Sequence, residues 1–123
     1  MGIEVNKFTD NDLTVTTGFR TLLIGIQRAD LTIVQKTFTG PLISAEFQKL
    51  GANQLAEINP DIVVAPLWAR GFDIIDVAAL LKPLRYRGLL CALMDKLPNP
   101  AAVLTELRTS CKGIDIKLLV RPE

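Results

Sequence analysis

The stretch Asn59-Pro60-Asp61-Ile62-Val63-Val64-Ala65-Pro66 decides the fold. An Asn-Pro break leads into four apolar residues, three of them β-branched, and the run stops at a second proline. A short apolar, β-branched run bounded by breakers reads as a strand buried on both faces. Such strands occupy the middle of parallel sheets covered by helices on both sides. The segment after its carboxyl end, Leu67-Trp68-Ala69-Arg70-Gly71, then falls where open α/β sheets carry ligand or catalytic groups.

Downstream of this strand the pattern is regular. Phe72 to Leu84 reads as a helix, with Asp73 and Asp76 in its first turns, Lys82, Arg85 and Arg87 towards and after its end, and Pro83 in its last turn. Gly88–Met94 reads as a second buried strand. Asn99-Pro100 pairs an N-cap with a proline at the first helical position, and a helix follows to Cys111, closed by Gly113. Ile114–Val120 is the last strand, half alternating as an edge strand does. Strands 61–66, 88–94 and 114–120 are expected as parallel neighbours in that order, with 72–84 and 99–111 as crossover helices.

Upstream, residues 1–12 read as a polar arm, and residues 13–123 as one domain. Leu13–Thr16 alternates as a short edge strand would. Arg20–Ile26 is a core strand. Leu31-Thr32-Ile33-Val34-Gln35-Lys36-Thr37-Phe38 reads as a strand by propensity. Only a few residues separate it from 20–26, too few for a parallel crossover, so the pair is expected as an antiparallel edge hairpin. The alternative is a helical turn starting at Arg28. Gly40-Pro41 is read as opening a helix to Ile58 with Gly51 as an interior weak point. The expected fold is a three-layer, doubly wound α/β domain. Its flavodoxin-like or receiver-like sheet has about five strands, mostly parallel, with that possible hairpin.

Composition narrows the function. A net charge of +1 argues against a nucleic-acid partner. No run approaches the roughly 18 apolar residues that span a bilayer. The first residues lack an apolar signal core, so no membrane partner and a cytoplasmic location are expected. The chain has no histidine, and Cys91 and Cys111 stand alone without CxxC spacing. Zinc sites and histidine-based acid–base chemistry are not expected, and neither a metal nor a cofactor is assigned.

Several phrases resemble the receiver domains of two-component response regulators. They are Pro60-Asp61-Ile62-Val63-Val64, Gly71-Phe72-Asp73-Ile74-Ile75-Asp76, Leu80-Leu81, Tyr86-Arg87-Gly88-Leu89-Leu90 and Arg121-Pro122, together covering about residues 59–122. The resemblance implies the same doubly wound fold. It also marks four departures. Pro66 stands at the phospho-acceptor position and offers no nucleophile. Gln27-Arg28, with Asp30 nearby, replaces the acidic pair that would hold magnesium. Leu93-Met94-Asp95 occupies the place of the expected Ser/Thr, and Arg121 that of the lysine. A receiver relative with these changes would be a pseudo-receiver, a fold without its switch chemistry and not an enzyme.

Two constellations stand out. Arg28, Arg70, Lys96 and Arg121 all follow strands and read either as an anion-binding rim or as ordinary solvated charges, with Asp30 and Asp95 neutralising part of them. Trp68 reads either as a binding hot spot beside Arg70 or as a lid on the core. The expected function is a non-catalytic receiver-like interaction module. The alternative is a small domain that binds an anionic ligand at the rim. An apolar content of 49% favours a homodimer, with Leu104 and Leu118 on the expected face.

Overall fold

The computed structural model describes residues 19–96 and 98–121. The expected arm 1–12 and the strand 13–16 lie outside them. Seven strands and four helices are described: β1 (Thr21–Ile24), α1 (Leu31–Thr37), β2 (Leu42–Ala45), α2 (Ala52–Ile58), β3 (Ile62–Pro66), β4 (Trp68–Ala69), β5 (Phe72–Asp73), α3 (Ile74–Leu81), β6 (Leu89–Met94), α4 (Pro100–Ser110) and β7 (Asp115–Val120). Five strands form one sheet in the order β2-β1-β3-β6-β7, every pair parallel. This is the flavodoxin-like order, with its switch point between β1 and β3. No helix among the described residues is long and apolar enough to cross a membrane.

β3 sits at the centre, buried along its whole length. Ile62, Val63 and Val64 are each 0% exposed, and burial of such side chains stabilises by about 2 kcal/mol apiece. Alternate residues feed two apolar clusters, one on each face of the sheet. Leu22, Val63, Ala65, Leu90, Ala92 and Ile116 meet Leu55 of α2, Ile74, Val77 and Leu81 of α3, and Leu107 of α4. Leu23, Ile62, Val64, Leu89, Cys91, Leu93 and Leu119 form the other cluster with Val34 of α1 and Phe38 just beyond it.

Downstream, β3, β6 and β7 are adjacent parallel strands as the sequence indicates, but Phe72 and Asp73, read as the start of the helix, form β5, and α3 begins at Ile74. Asp73 caps α3, accepting from the Asp76 backbone N–H at 2.9 Å while Asp76 accepts from that of Asp73 at 3.0 Å. Asn99 caps α4, accepting from the Ala102 N–H at 3.1 Å.

The expected hairpin of 20–26 with 31–38 is incorrect. Residues 31–37 form α1, preceded by a 3-10 turn over Arg28–Asp30, as in the alternative of a helical turn from Arg28. The β-branched residues that suggested a strand also satisfy a helix, since Leu31, Val34 and Phe38 recur at i, i+3 and i+7. Val34 and Phe38 are buried. With α1 as the crossover, β2 lies parallel to β1. The expected helix from Gly40 to Ile58 is also incorrect in its first half. Pro41 opens β2, its carbonyl accepting from the Thr21 N–H at 2.9 Å. Gly40 lies so close to the Phe19 backbone that a Cβ there would stand 2.1 Å from the Phe19 carbonyl oxygen. Gly51 is the N-cap of α2 rather than an interior weak point, its N–H donating to Gln54 Oε1 at 2.6 Å.

Replacing Asp73 with Ala should remove one half of the reciprocal cap on α3. It is expected to lower unfolding free energy by about 1 kcal/mol in urea titrations, without changing the m-value.

Candidate functional site

The carboxyl edge of the sheet is where this architecture places ligands, and here its crevice is filled by the chain itself. After β3, Leu67 is fixed by donating its N–H to the Leu93 carbonyl at 2.7 Å and accepting from the Ile74 N–H at 3.0 Å. Between those anchors, β4 and β5 form a small antiparallel ribbon, Trp68 opposite Asp73 and Ala69 opposite Phe72. Arg70 and Gly71 make the two-residue loop, with Gly71 supplying the positive φ of 93°.

The ribbon sends Phe72 inward and Trp68 outward. Phe72 stacks on Phe47, with ring centroids 4.6 Å apart and planes 12° from parallel. The same ring reaches the backbone that follows β1: a Cβ at Gly25 would stand 2.6 Å from Phe72 Cζ. Gly25 also has φ of +65°, so both conformation and space require glycine there. A side chain of β5, in the segment that follows β3, thus lies over the end of β1, across the switch point where a ligand would enter.

Arg121, just past β7, closes the edge further along. Its Nε donates to Asp30 Oδ1 at 2.7 Å and its Nη2 to Asp30 Oδ2 at 3.0 Å, a bidentate pair. Its Nη1 donates to Asp95 Oδ1 at 3.0 Å. The hydrogen bond to Asp30 is the main reason the guanidinium pKa is raised above its ordinary value, with Asp95 adding in the same direction and burial opposing. Asp30 occupies the N-cap position of α1 but makes no side-chain cap there, its carboxylate being engaged by Arg121.

Of the four rim residues, Arg121 is therefore bound to two carboxylates, while Arg28, Arg70 and Lys96 are exposed. Arg28 and Arg70 form no ion pair with another described residue. Trp68 is 70% exposed and is not a lid. It borders a recess of about 80 Å³ shared with Met94, Asp95 and Arg121, well below the 300 Å³ or more typical of small-molecule sites. No group of three or more metal-ligating side chains occurs among the described residues.

Leu104 and Leu118 are half-buried and pack against the same core cluster, while Ala101 and Ala102 on α4 are exposed. A charge at Leu118 would disturb core packing as well as any interface. Cys91 is fully buried, and burial is the main cause that pushes its thiol pKa up; the same holds for Cys111.

A larger groove, about 470 Å³, lies at the opposite, amino-terminal edge between the ends of α2 and α3. Leu55, Ala56, Leu81 and Leu84 line it with Tyr86 and Arg87. Tyr86 donates to the Leu89 carbonyl at 3.0 Å, and burial raises its pKa, with lesser contributions from Cys91 and Asp61. No motif marks this groove, because its walls come from the separate ends of α2 and α3.

The fold defines a flavodoxin-like α/β domain. Scanned against protein-family models and against curated proteins, the chain matches none.

Asp30→Ala should leave the Arg121 guanidinium without its less exposed partner and lower stability by about 1–2 kcal/mol. Asp95 is 81% exposed at its side chain, so Asp95→Ala should cost less than about 0.5 kcal/mol. Equal losses in parallel denaturant titrations would contradict this assignment of roles.

Proposed function

We propose that this domain is a non-catalytic, receiver-like interaction module that acts by binding a protein, a second copy of itself being the first candidate, in the cytoplasm. The observation that carries this reading is the display of Trp68. The largest apolar side chain in the sequence stands 70% exposed at the carboxyl edge, on a ribbon whose two ends are hydrogen-bonded to the core. Such a side chain is costly to leave in water and is the type most enriched among binding hot spots, as is the neighbouring Arg70. A rigid ribbon also loses little conformational entropy on binding. Ile75 on the first turn of α3 is 44% exposed and adds apolar surface on the adjoining element.

The resemblance to receivers supports a module without phosphoryl chemistry. Pro66 ends β3 where an acceptor would stand, and Asp30, the carboxylate after β1, holds an arginine instead of facing an open metal site. The alternative, an anionic ligand on Arg28, Arg70, Lys96 and Arg121, must compete with Asp30 and Asp95 for the last of these.

Sedimentation velocity across micromolar concentrations tests the proposal. The unmodified chain should self-associate, and Trp68→Ala should weaken association about tenfold or more, the scale of a hot-spot truncation. Ala102→Glu probes the α4 and β7 face in the same assay without entering the core. A chain that stays monomeric excludes the second copy as partner. A dimer that ignores Trp68→Ala but yields to Ala102→Glu moves the interface from the ribbon to α4.

A further inference from the structure

The groove at the amino-terminal edge, about 470 Å³, falls within the size range of small-molecule sites, and the recess beside Trp68 at the carboxyl edge does not. Its walls are held by the fold. Leu55 and Leu81 are 4% and 1% exposed, anchored on the core side of α2 and α3. Tyr86 is tethered by its hydroxyl, which donates to the Leu89 carbonyl at 3.0 Å. Its ring lies so close to Gly88 that a Cβ there would stand 2.5 Å from Tyr86 Cζ, so glycine at 88 is what lets the ring pack against the chain. Leu84 is 39% exposed and completes the apolar lining.

The charge at this groove is lopsided. Arg85 and Arg87 both line it and are exposed, and neither forms an ion pair with another described residue. Asp61 is the acid in the lining, and its carboxylate accepts from the Arg20 backbone N–H at 2.9 Å. Two permanently charged guanidinium groups thus stand against one carboxylate that is already hydrogen-bonded to the chain. Arg85 also sits in the left-handed region, with φ of 54° and ψ of 43°, where glycine or asparagine is the ordinary occupant. A cation just past α3 complements the helix dipole, so Arg85 has two roles to separate, an end charge and a ligand group.

We infer that this groove binds a small amphiphilic monocarboxylate, its apolar body against Leu55, Leu81, Leu84 and the Tyr86 ring and its carboxylate on Arg85 and Arg87. The unpaired guanidinium groups select an anion, and a carboxylate matches their planar fork. The apolar walls select a hydrocarbon chain or ring over bare phosphate, which would leave them in water. Asp61 in the same lining disfavours a second negative charge on the ligand. The site lies at the opposite edge from Trp68 and is independent of the function proposed for the ribbon.

Decanoate, titrated below its micellar range into the nitrogen-15-labelled full chain, tests the inference. The amide signals of Asn59, Arg87 and Gly88 should shift saturably at about millimolar concentration or below, while that of Ala69 on the ribbon stays in place. Decylammonium, equal in chain length and opposite in charge, should bind about tenfold more weakly or not at all. Arg85→Gly separates the two roles of that residue. It relieves the left-handed backbone, so the urea midpoint should hold or rise while decanoate affinity falls about tenfold. Arg87→Gln should lower affinity in the same way without touching a left-handed residue. A lower midpoint with unchanged affinity in Arg85→Gly would make Arg85 an end charge and overturn the inference. Silence towards decanoate, shifts confined to the ribbon, or decylammonium binding as well as decanoate would each overturn it too.

Discussion

A strand buried on both faces governs this molecule. β3 presents Ile62 and Val64 to one side and Val63 and Ala65 to the other, all without solvent exposure. A parallel strand cannot meet its neighbours through a tight turn, so each connection must travel over a face of the sheet. α1, α2, α3 and α4 are those connections, and their apolar sides are the cover. Strand order follows from the same constraint: with β3 central and β1 beside it, β2 lies outside β1 while β6 and β7 extend the other way.

The carboxyl edge inherits its character from this arrangement. Loops that leave parallel strands at one edge bring side chains together across long sequence distances, which is why the edge so often becomes a site. Here the convergent groups satisfy each other. Phe72 fills the gap above Gly25 and stacks on Phe47. Arg121 meets Asp30 across 91 residues of sequence and Asp95 across 26. What remains outward is Trp68, with Arg70 in the loop beside it. An edge whose convergent groups are paired with one another and which carries one exposed indole is the physical basis of the proposed function.

Legibility in the sequence tracked how local the deciding interaction is. β3, β6, α3, α4 and β7 are readable because proline, asparagine, aspartate or glycine stands at their ends, with uninterrupted apolar runs in β3 and β6 and apolar positions at helical or alternating spacing in the others. Residues 31–38 are not, because Leu31, Ile33, Val34 and Phe38 fit a strand by propensity and a helix by spacing. The choice is made by the need to carry β2 back parallel to β1. β2 itself is four residues with only partial burial, too short for its own pattern to outweigh Gly40-Pro41 as a helix-start signal. At the edge, Asp30 and Asp95 could be named from sequence as neutralising charges. The bidentate geometry with Arg121, the approach of Phe72 to Gly25 and the outward turn of Trp68 arise only from the packed sheet.

Side chains of the chain itself meet at the carboxyl edge, Phe72 over Gly25 and Arg121 on Asp30 and Asp95, and under the proposed function that edge takes up no phosphoryl anion. Nitrogen-15 NMR of the Arg121 Nε–H, titrated with phosphate and then with acetyl phosphate and magnesium, tests it most directly. The expected result is a proton signal protected from solvent by its bond to Asp30, unmoved by either addition, with no change in intact mass. A saturable shift of that signal, or a stable phosphoryl adduct on any aspartate, would contradict it.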